Sequence, residues 1–188
     1  MAVLPIYLFG QSVLRKKARP VKGVDADLVK FAGDMVETMG KASGIGLAAT
    51  QVGDLRRVIT IDLSAIEETK DQPPTAMINP EILFEEGELT MEEGCLSLPG
   101  LREEVKRPDR IRLRYRDINF REHEIIAEGT LSRVVQHEID HLNGVLFVDH
   151  LSAVKRKLLR GRLNKMVRGE IEADYPVVGP STADGEHR

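Results

Sequence analysis

The segment from Thr130 to Leu142 constrains the fold of this chain more than any other, because its apolar residues recur at helical spacing. Asn143 and Gly144 follow it and form a typical helix stop. Spacings of three and four residues place one apolar stripe along a helix, and such a stripe is expected to be buried against a core. The stripe consists of Leu131, Val134, Val135, Ile139 and Leu142.

Length and composition indicate one domain around that core. The chain has 188 residues, of which 41% are apolar and 30% charged, so several domains are not expected. Its apolar runs are shorter than the roughly 18 residues that a membrane span requires. Basic residues follow the uncharged N-terminal stretch, whereas they precede it in a secretory signal. We therefore expect no membrane partner.

Charge and cysteine content narrow the class of protein further. The net charge of −3 gives no chain-wide basic field, so DNA is not expected as a partner. The one cysteine, Cys95, cannot form an internal disulfide, which suits a reducing compartment. We expect a cytoplasmic protein in which any role of Cys95 is that of a thiol.

Periodicity elsewhere predicts a second helix and several strands. From Asp25 to Met39 apolar residues repeat at helical spacing, and either Asp25 or Asp27 can cap this helix. From Arg110 to Arg116 the chain alternates strictly, which predicts a half-buried strand with its arginines on the solvated face. The remaining predictions are a strand at Arg57–Leu63, a surface loop at Glu67–Pro74, an edge or interrupted strand at Thr75–Leu83 that contains Asn79-Pro80, a turn at Asp117–Asn119 and a strand at Glu124–Ala127.

The predicted helix at Thr130–Leu142 contains an H-E-x-x-H motif, His137-Glu138-Ile139-Asp140-His141. Residues four apart on a helix lie within about 40° of one another and one turn apart, so both imidazoles can reach a single ion. Glu138 lies about 100° from His137, where a general base stands near an ion without binding it. The plain alternative is a chance match on an amphipathic helix with packed histidines.

A catalytic ion needs a third protein ligand, and the residues after the motif offer no good one. The metzincin pattern requires a histidine where this chain has Phe147. Asp149 is the only acid between the motif and Gly169, and His150 would face backward on a continued helix. Upstream, Cys95 would complete a tetrahedral set for Zn²⁺ or Fe²⁺ with water in the fourth position. The alternative for a lone cysteine is a small buried apolar residue.

The segment Gly44–Gly53 superficially matches a dinucleotide-binding fingerprint. That fingerprint follows a strand and opens a helix, whereas a predicted helix precedes this segment, so we exclude it. Gly44 and Gly46 suit a strip of backbone that faces a ligand. The amide of Gln51 can donate to a ligand oxygen, or it can simply hold its own loop.

Three segments taken together resemble the signature motifs of peptide deformylases. They are Gly44-Ile45-Gly46-Leu47-Ala48-Ala49-Thr50-Gln51, Glu93-Gly94-Cys95-Leu96-Ser97 and Gln136-His137-Glu138-Ile139-Asp140-His141-Leu142. The similarity also includes Val13-Leu14-Arg15 and extends to about residue 165. We therefore expect one catalytic domain over residues 1–169 and a poorly ordered tail over residues 170–188.

The resemblance implies a fold, an activity and a cofactor. The implied fold is α+β, with antiparallel β-sheets packed around a central metal-binding HExxH helix, an N-terminal helix and a C-terminal helix. The implied activity removes the formyl group from the N-terminal formyl-methionine of nascent polypeptides and releases formate. The implied cofactor is one divalent metal ion, Fe²⁺ in the cell, although the same ligands accept Zn²⁺ or Ni²⁺.

The resemblance also assigns roles within the catalytic machinery. It implies metal ligation by Cys95, His137 and His141, and proton transfer by Glu138. Coordination lowers the pKa of a metal-bound water toward roughly 7, and Glu138 as general base would take its proton and return it to the leaving amine. Gln51 and the backbone N–H of Leu96 would stabilise the oxyanion.

Further residues match the substrate-binding positions of the family. Ile45, Gly46 and Gly94 would pair with an extended peptide in the manner of an added strand. Arg133, through its aliphatic stem, and Val134 would form a wall of the methionine pocket. The remaining implied contacts are Arg102, further along the peptide, and a structural ion pair between Glu93 and Arg107.

The segment Leu151–Gly169 is basic and contains no acid. Such a segment is ordinarily a solvated helix face, but ribosomal RNA is a reasonable partner for an enzyme that acts on nascent chains. Two functional alternatives stay open. The chain could be an HExxH zinc endopeptidase, or a catalytically silent ribosome-associated binding module. The basic residues of the segment Leu151–Gly169 are Lys155, Arg156, Lys157, Arg160, Arg162, Lys165 and Arg168.

Overall fold

Helices and antiparallel sheets form the part of the chain that the computed structural model describes, residues 1–64 and 71–179. The helices are α1 (Ala26–Lys41), α2 (Gly129–Leu142) and α3 (Ala153–Val167). The strands are β1 (Ile6–Tyr7), β2 (Gly46–Ala48), β3 (Val58–Ile61), β4 (Thr75–Glu86), β5 (Leu89–Cys95), β6 (Leu98–Arg107), β7 (Arg110–Arg116), β8 (Glu122–Glu128) and β9 (Val177–Val178). Among these described helices none is long and apolar enough to cross a membrane.

The main sheet is antiparallel and has the strand order β2-β3-β4-β7-β8. A separate antiparallel pair, β5-β6, forms a hairpin, and β1 pairs with β9 in parallel. The predicted α+β class with antiparallel sheets is therefore confirmed. The parallel pair was not predicted.

Helix α2 packs its apolar stripe against the main sheet, as its periodicity predicts. Val135, Ile139 and Leu142 belong to one core with sheet residues such as Ile59 and Ile111. Each apolar side chain buried in this way stabilises the fold by about 1.5–3 kcal/mol. This packing orients the opposite stripe of α2, which carries the two histidines.

The end of α2 requires a glycine for two reasons. Gly144 has φ +76°, in the left-handed region, and a Cβ there would lie 2.6 Å from the carbonyl oxygen of Arg15. The predicted stop at Asn143-Gly144 is thus confirmed. At the start of α1, the Asp25 side chain accepts from the N–H of Leu28 over 2.8 Å, which makes Asp25 the N-cap rather than Asp27.

The sequence predicts that strand β4 is either an edge strand or an interrupted one. It is interrupted, but it lies inside the sheet between β3 and β7. The edge reading is therefore wrong. The register shifts between Ile78 and Glu81, and Asn79 adopts φ +53°. The Asn79 side chain bonds the backbone of Val21 in both directions over 2.8 Å. This bulge accommodates Pro80, which has no N–H, within a central strand.

The strand pair β7-β8 and its turn match the sequence prediction, with the arginines of β7 on the solvated face. The predicted loop at Glu67–Pro74 is exposed at residues 71–74, and its residues 67–70 lie outside the described residues.

The C-terminal part of the chain differs in part from the expected poorly ordered tail. Val177 pairs with Ile6, and Tyr175 packs against the core around α1. Residues 170–179 thus belong to the folded unit, because their apolar side chains find partners distant in sequence. Residues 180–188 of the expected tail lie outside the described residues.

Candidate active site

Two elements bring together three side chains that could hold a metal ion. Helix α2 carries His137 and His141 one turn apart, and the end of β5 carries Cys95. The ligand atoms of all three residues lie within 4.8 Å of one another. Cys95 Sγ is 3.1 Å from His141 Nε2, and the two imidazole centroids are 4.9 Å apart.

The hairpin β5-β6 determines where Cys95 lies. Its register shifts between Gly94 and Cys95, and Cys95 pairs with Leu98 across a tight turn. Leu98 is fully buried in the core beneath α3. Burial of Leu98 therefore anchors the turn and keeps the thiol next to α2.

A group of charged residues around and including His137, here called the buried cluster, is buried except for the partly exposed Asp140. It comprises Glu93, Arg107, Arg133, His137 and Asp140. Glu93 accepts hydrogen bonds from Arg107 over 2.6 and 3.0 Å and from Arg133 over 2.8 Å. His137 Nδ1 lies 2.9 Å from Glu93 Oε2. Because this contact occupies Nδ1, it orients the imidazole with Nε2 available for an ion.

Two further contacts connect the buried cluster to the surface. Arg107 donates to Asp140 Oδ2 over 2.6 Å, and His150 Nε2 lies 2.7 Å from the same oxygen. The predicted ion pair between Glu93 and Arg107 is therefore present, within a larger network. Burial acts to raise the pKa of Glu93, but the hydrogen bonds of His137 and Arg107 and the charge of Arg107 lower it well below its usual range.

Glu138 is almost fully buried and lines the same cleft as Cys95 and His137. Its Oε2 has no hydrogen-bond partner among the described residues. A Cβ at Gly46 would collide with this carboxylate and lie 2.9 Å from Val134 Cγ1. Glycine at position 46 therefore makes room for Glu138. Burial raises the pKa of Glu138 to about 7, an effect that the charge of His137 opposes and that of Glu93 supports.

The donor set fits a divalent ion. His141 Nδ1 is also buried without a partner in the described chain, and burial together with the charge of His137 lowers the pKa of His141 well below its usual value. A neutral imidazole keeps the lone pair that a metal requires. A thiolate with two imidazoles is a common ligand set for Zn²⁺ and Fe²⁺.

Gln51 is held by its own loop, which is one of the two uses that its sequence left open, and donation to a ligand oxygen stays a prediction. Its Oε1 accepts from the N–H of Ala48 over 2.8 Å, which orients the amide. Its Nε2 then points into the site, 3.6 Å from Cys95 Sγ and 3.2 Å from Ser97 Oγ. The amide is thus held by its own loop and directs its N–H groups at the cysteine.

Two of the three candidate ligands, Cys95 and His137, line a cleft of about 750 Å³. All of the predicted substrate-binding residues line it. Ile45 presents an exposed side chain, whereas Arg133 is buried and its guanidinium bonds Glu93. Their roles in binding stay predictions. The lining includes Ile45, Gly46, Gln51, Gly94, Cys95, Leu96, Arg102, Arg133, Val134, His137 and Glu138.

Several contacts within the site were not predicted from sequence. Ser97 contacts Gln51, and the guanidinium of Arg133 contacts Glu93. Asp140 lies inside the H-E-x-x-H motif, so its place in the sequence could have indicated that it lies near the site. Tyr175 donates to the carbonyl of Leu96 over 2.7 Å across 79 residues, and no local pattern indicates that contact.

Known proteins are similar to this chain in both sequence and fold. The family model for polypeptide deformylase matches residues 3–157. A peptide deformylase of Salinibacter ruber is 52% identical over 184 residues, which cover 94% of each chain. A peptide deformylase of Chlorobium luteolum is 47% identical over 98% of this chain and 97% of its own.

Solved structures agree with these relatives. A crystal structure of a Legionella pneumophila peptide deformylase superposes with a TM-score of 0.81 at 40% identity, covering 90% of this chain and 98% of that one. The Ehrlichia chaffeensis peptide deformylase in complex with actinonin gives a TM-score of 0.82 at 37% identity, over 92% and 100% of the two chains. The matches extend over nearly the whole length of each protein, and by sequence and fold alike this chain belongs to the polypeptide deformylase family.

Proposed function

We propose that this chain is a metal-dependent hydrolase that removes the N-formyl group from the N-terminal formyl-methionine of nascent polypeptides and releases formate. Family membership supports the activity. The observation that carries the proposal is the convergence of Cys95, His137 and His141 within 4.8 Å beside the unpartnered carboxylate of Glu138. The catalytic domain on this proposal extends past the expected boundary at residue 169 and includes residues 170–179, and the enzyme acts in the cytoplasm.

Cys95, His137 and His141 would hold one divalent ion, so that α2 becomes a central metal-binding helix between antiparallel sheets. The ion would supply Lewis acidity, which acidifies water and polarises the formyl carbonyl. We propose Fe²⁺ as the ion in the cell, with Zn²⁺ or Ni²⁺ also accepted, because thiolate and imidazole suit all three.

Glu138 moves the protons of the reaction. Glu138 lines the same cleft as Cys95 and His137 without belonging to the ligand cluster, and its Oε2 has no competing partner among the described residues. Glu138 accepts the proton of the attacking water and later returns it to the leaving amine. General acid–base catalysis of this kind contributes about 10²–10⁴-fold to the rate.

Gln51 and the backbone N–H of Leu96 stabilise the negative charge that develops on the formyl oxygen. The Gln51 amide is preoriented by Ala48, so it needs little reorganisation during the reaction. A donor of this kind is worth on the order of 10²–10³ in kcat.

The substrate peptide binds as an extended chain along the cleft. Ile45 and Gly46 pair with it from one side and Gly94 from the other, as in strand addition. The stem of Arg133 and the side chain of Val134 enclose the methionine. Arg102, which lines the same cleft, contacts residues further along the peptide.

The basic segment Leu151–Gly169 places the enzyme near its substrate through contact with ribosomal RNA. Most of it forms α3, which also exposes the side chains of Val154 and Leu158. Lys155 already pairs with Glu103 over 3.1 Å and Arg168 with Glu170 over 2.6 Å, so the other basic residues would carry the contact. Co-sedimentation with ribosomes is expected to weaken with salt and with charge reversal on α3. Sedimentation that neither change affects would contradict the contact.

The variant Glu138→Gln tests the catalytic role of Glu138 separately from metal binding. In anaerobically purified protein we expect Glu138→Gln to retain one metal ion per chain and to lose about 10²–10⁴-fold of formate release from formyl-Met peptides. Cys95→Ala is expected to lose the metal. Glu85→Gln, an exposed change outside the cleft lining, is the control.

Near wild-type activity of Glu138→Gln would contradict the assigned role. The same assay distinguishes the alternatives. An endopeptidase would cleave internal peptide bonds without releasing formate, and a silent binding module would do neither.

A further inference from the structure

The C-terminal segment, defined as Ile171–Val178, lies along the mouth of the cleft and is attached at two points. At its end, β9 pairs with β1, and the N–H of Ile6 donates to the carbonyl of Pro176 over 2.9 Å. Before that, Tyr175 Oη donates to the carbonyl of Leu96 over 2.7 Å. One attachment is to the N-terminal strand and the other to the hairpin turn that bears the cysteine.

These attachments hold two carboxylates at the rim of the cleft. Glu172 and Asp174 both line it, both are exposed, and Asp174 directly precedes the anchored Tyr175. Neither carboxylate forms an ion pair with another residue of the described chain. Their charges are therefore free to act on whatever enters.

The other charged groups that line the cleft do not cancel these charges. Glu93, Arg133 and Glu138 are buried at its inner end. Glu92 and Arg102 are exposed at the rim, but they lie 3.3 Å apart and pair with each other. Two unmatched negative charges thus remain at the mouth.

The proposed function determines which part of the substrate meets these charges. The formyl group has to reach the inner end, where Cys95, His137 and Glu138 lie. The substrate is the start of a longer chain, so the residues after its methionine extend outward past the rim. On this basis, which rests on the proposed function, we propose that Glu172 and Asp174 select substrates by charge, favouring basic over acidic residues downstream of the formyl-methionine.

The expected size of this effect follows from elementary electrostatics. Single charges about 8 Å apart in water change an affinity about twofold, and salt weakens the interaction. Two carboxylates acting on a lysine in one peptide and a glutamate in another make four such interactions, about sixteenfold together without salt. Screening at about 0.1 M salt lowers the expected change in relative kcat/KM to about fivefold to tenfold.

The test compares two peptides, formyl-Met-Ala-Lys-amide and formyl-Met-Ala-Glu-amide, on the metal-loaded enzyme. Amide ends remove the charge of a terminal carboxylate. We expect the wild type to prefer the lysine peptide, and the double variant Glu172→Gln with Asp174→Asn to lose about fivefold of that preference. Reversal of both charges to lysine is expected to invert it. The preference should fade as salt is added.

A matched control is Asp71→Asn with Glu85→Gln, which makes the same chemical changes at exposed positions outside the cleft lining. An unchanged ratio in the rim variant, with normal formate release, would overturn this inference and leave the proposed function standing. An equal shift in the control would overturn it too, because the effect would then be one of net charge. Absence of formate release from either peptide by the wild type would instead contradict the proposed function.

Discussion

Arginine and glutamate form two charge networks in this molecule, one inside it and one on its surface. In the buried cluster, Glu93 bonds Arg107 and Arg133, and all three side chains are at most 6% exposed. On the outer face of the sheet, arginines of β7 pair with glutamates of β4 and β8, with both partners about half exposed. This surface ladder consists of Arg110–Glu128, Arg112–Glu124, Arg114–Glu81 and Arg116–Glu122.

The contrast shows that burial, rather than residue type, decides what an ion pair does. Charges of the surface ladder stay hydrated and screened, so each pair contributes about 0–1 kcal/mol and mainly keeps the sheet face solvated. Charges of the buried cluster have lost their water, and only dense hydrogen bonding offsets that cost. The result is a rigid carboxylate that holds His137 in one orientation.

Glu93→Gln breaks the buried cluster and is expected to have the largest effect on stability. It leaves the guanidinium of Arg133 buried without a counter-charge and leaves Arg107 with Asp140 alone, which costs about 3–5 kcal/mol of unfolding free energy. It also removes the carboxylate that orients His137, so metal affinity should fall about 10–100-fold. Urea unfolding with and without bound metal, together with metal titration, measures both effects.

Two separate outcomes would contradict this reasoning. A stability loss under about 1 kcal/mol would mean that the cluster behaves like an exposed pair. Unchanged metal affinity would mean that Glu93 does not position His137.

The parts of the site that could be predicted are those whose geometry is local. His137 and His141 meet because of helical spacing, and Glu138 follows from the same helix. The sequence around Cys95 left two roles open, a metal ligand and a small buried apolar residue. Only the resemblance of three separate motifs assigned it as a ligand. The contact of the Arg133 guanidinium with Glu93 spans 40 residues, so no periodicity could indicate it.

Asp140→Asn tests the outer part of the buried cluster and is expected to have a smaller effect. Asp140 is 21% exposed, and Arg107 keeps both of its hydrogen bonds to Glu93 when the Asp140 charge is removed. We expect a loss of about 1–3 kcal/mol, typical of a hydrogen bond to a charged group. The urea midpoints of Asp140→Asn and Glu93→Gln, compared in one buffer, provide the measurement. A loss equal to that of Glu93→Gln would show that the cluster fails as a unit.

For the fold, as for the site, the elements that could be predicted are those with a local cause. The helices α1 and α2 and the strand β7 were predictable because their burial pattern repeats within each element. Pro80 favours an edge strand by general rule, yet the side chain of Asn79 bonds Val21 and permits a central bulge. The pairing of Val177 with Ile6 joins the two ends of the described chain, and neither two-residue strand has a pattern of its own.

Asp149→Asn tests an ion pair of intermediate burial. Burial raises the pKa of Asp149, but the hydrogen bond and charge of Arg15 and the N–H of Leu146 lower it below its ordinary value of 3.8. A carboxyl whose pKa is depressed on folding stabilises the fold above its unfolded pKa and loses that contribution as the pH falls through its folded pKa. We therefore expect Asp149→Asn to cost up to about 1 kcal/mol at pH 7 and progressively less below about pH 4. Urea unfolding of both proteins from pH 7 to pH 3 measures the difference, and a difference that grows with acid would contradict the assignment.

Glu124→Gln makes in the surface ladder the same chemical change that Glu93→Gln makes in the buried cluster, and its effect is expected to be the smallest. Glu124 lies 3.5 Å from Arg112, and both side chains are about half exposed. Removal of the charge leaves the stem of Arg112 packed and the guanidinium hydrated, so we expect a loss under about 0.5 kcal/mol that disappears in high salt. Urea unfolding at low and high ionic strength provides the measurement. A loss comparable to that of Glu93→Gln would contradict the comparison, because solvent exposure would then not distinguish the two networks.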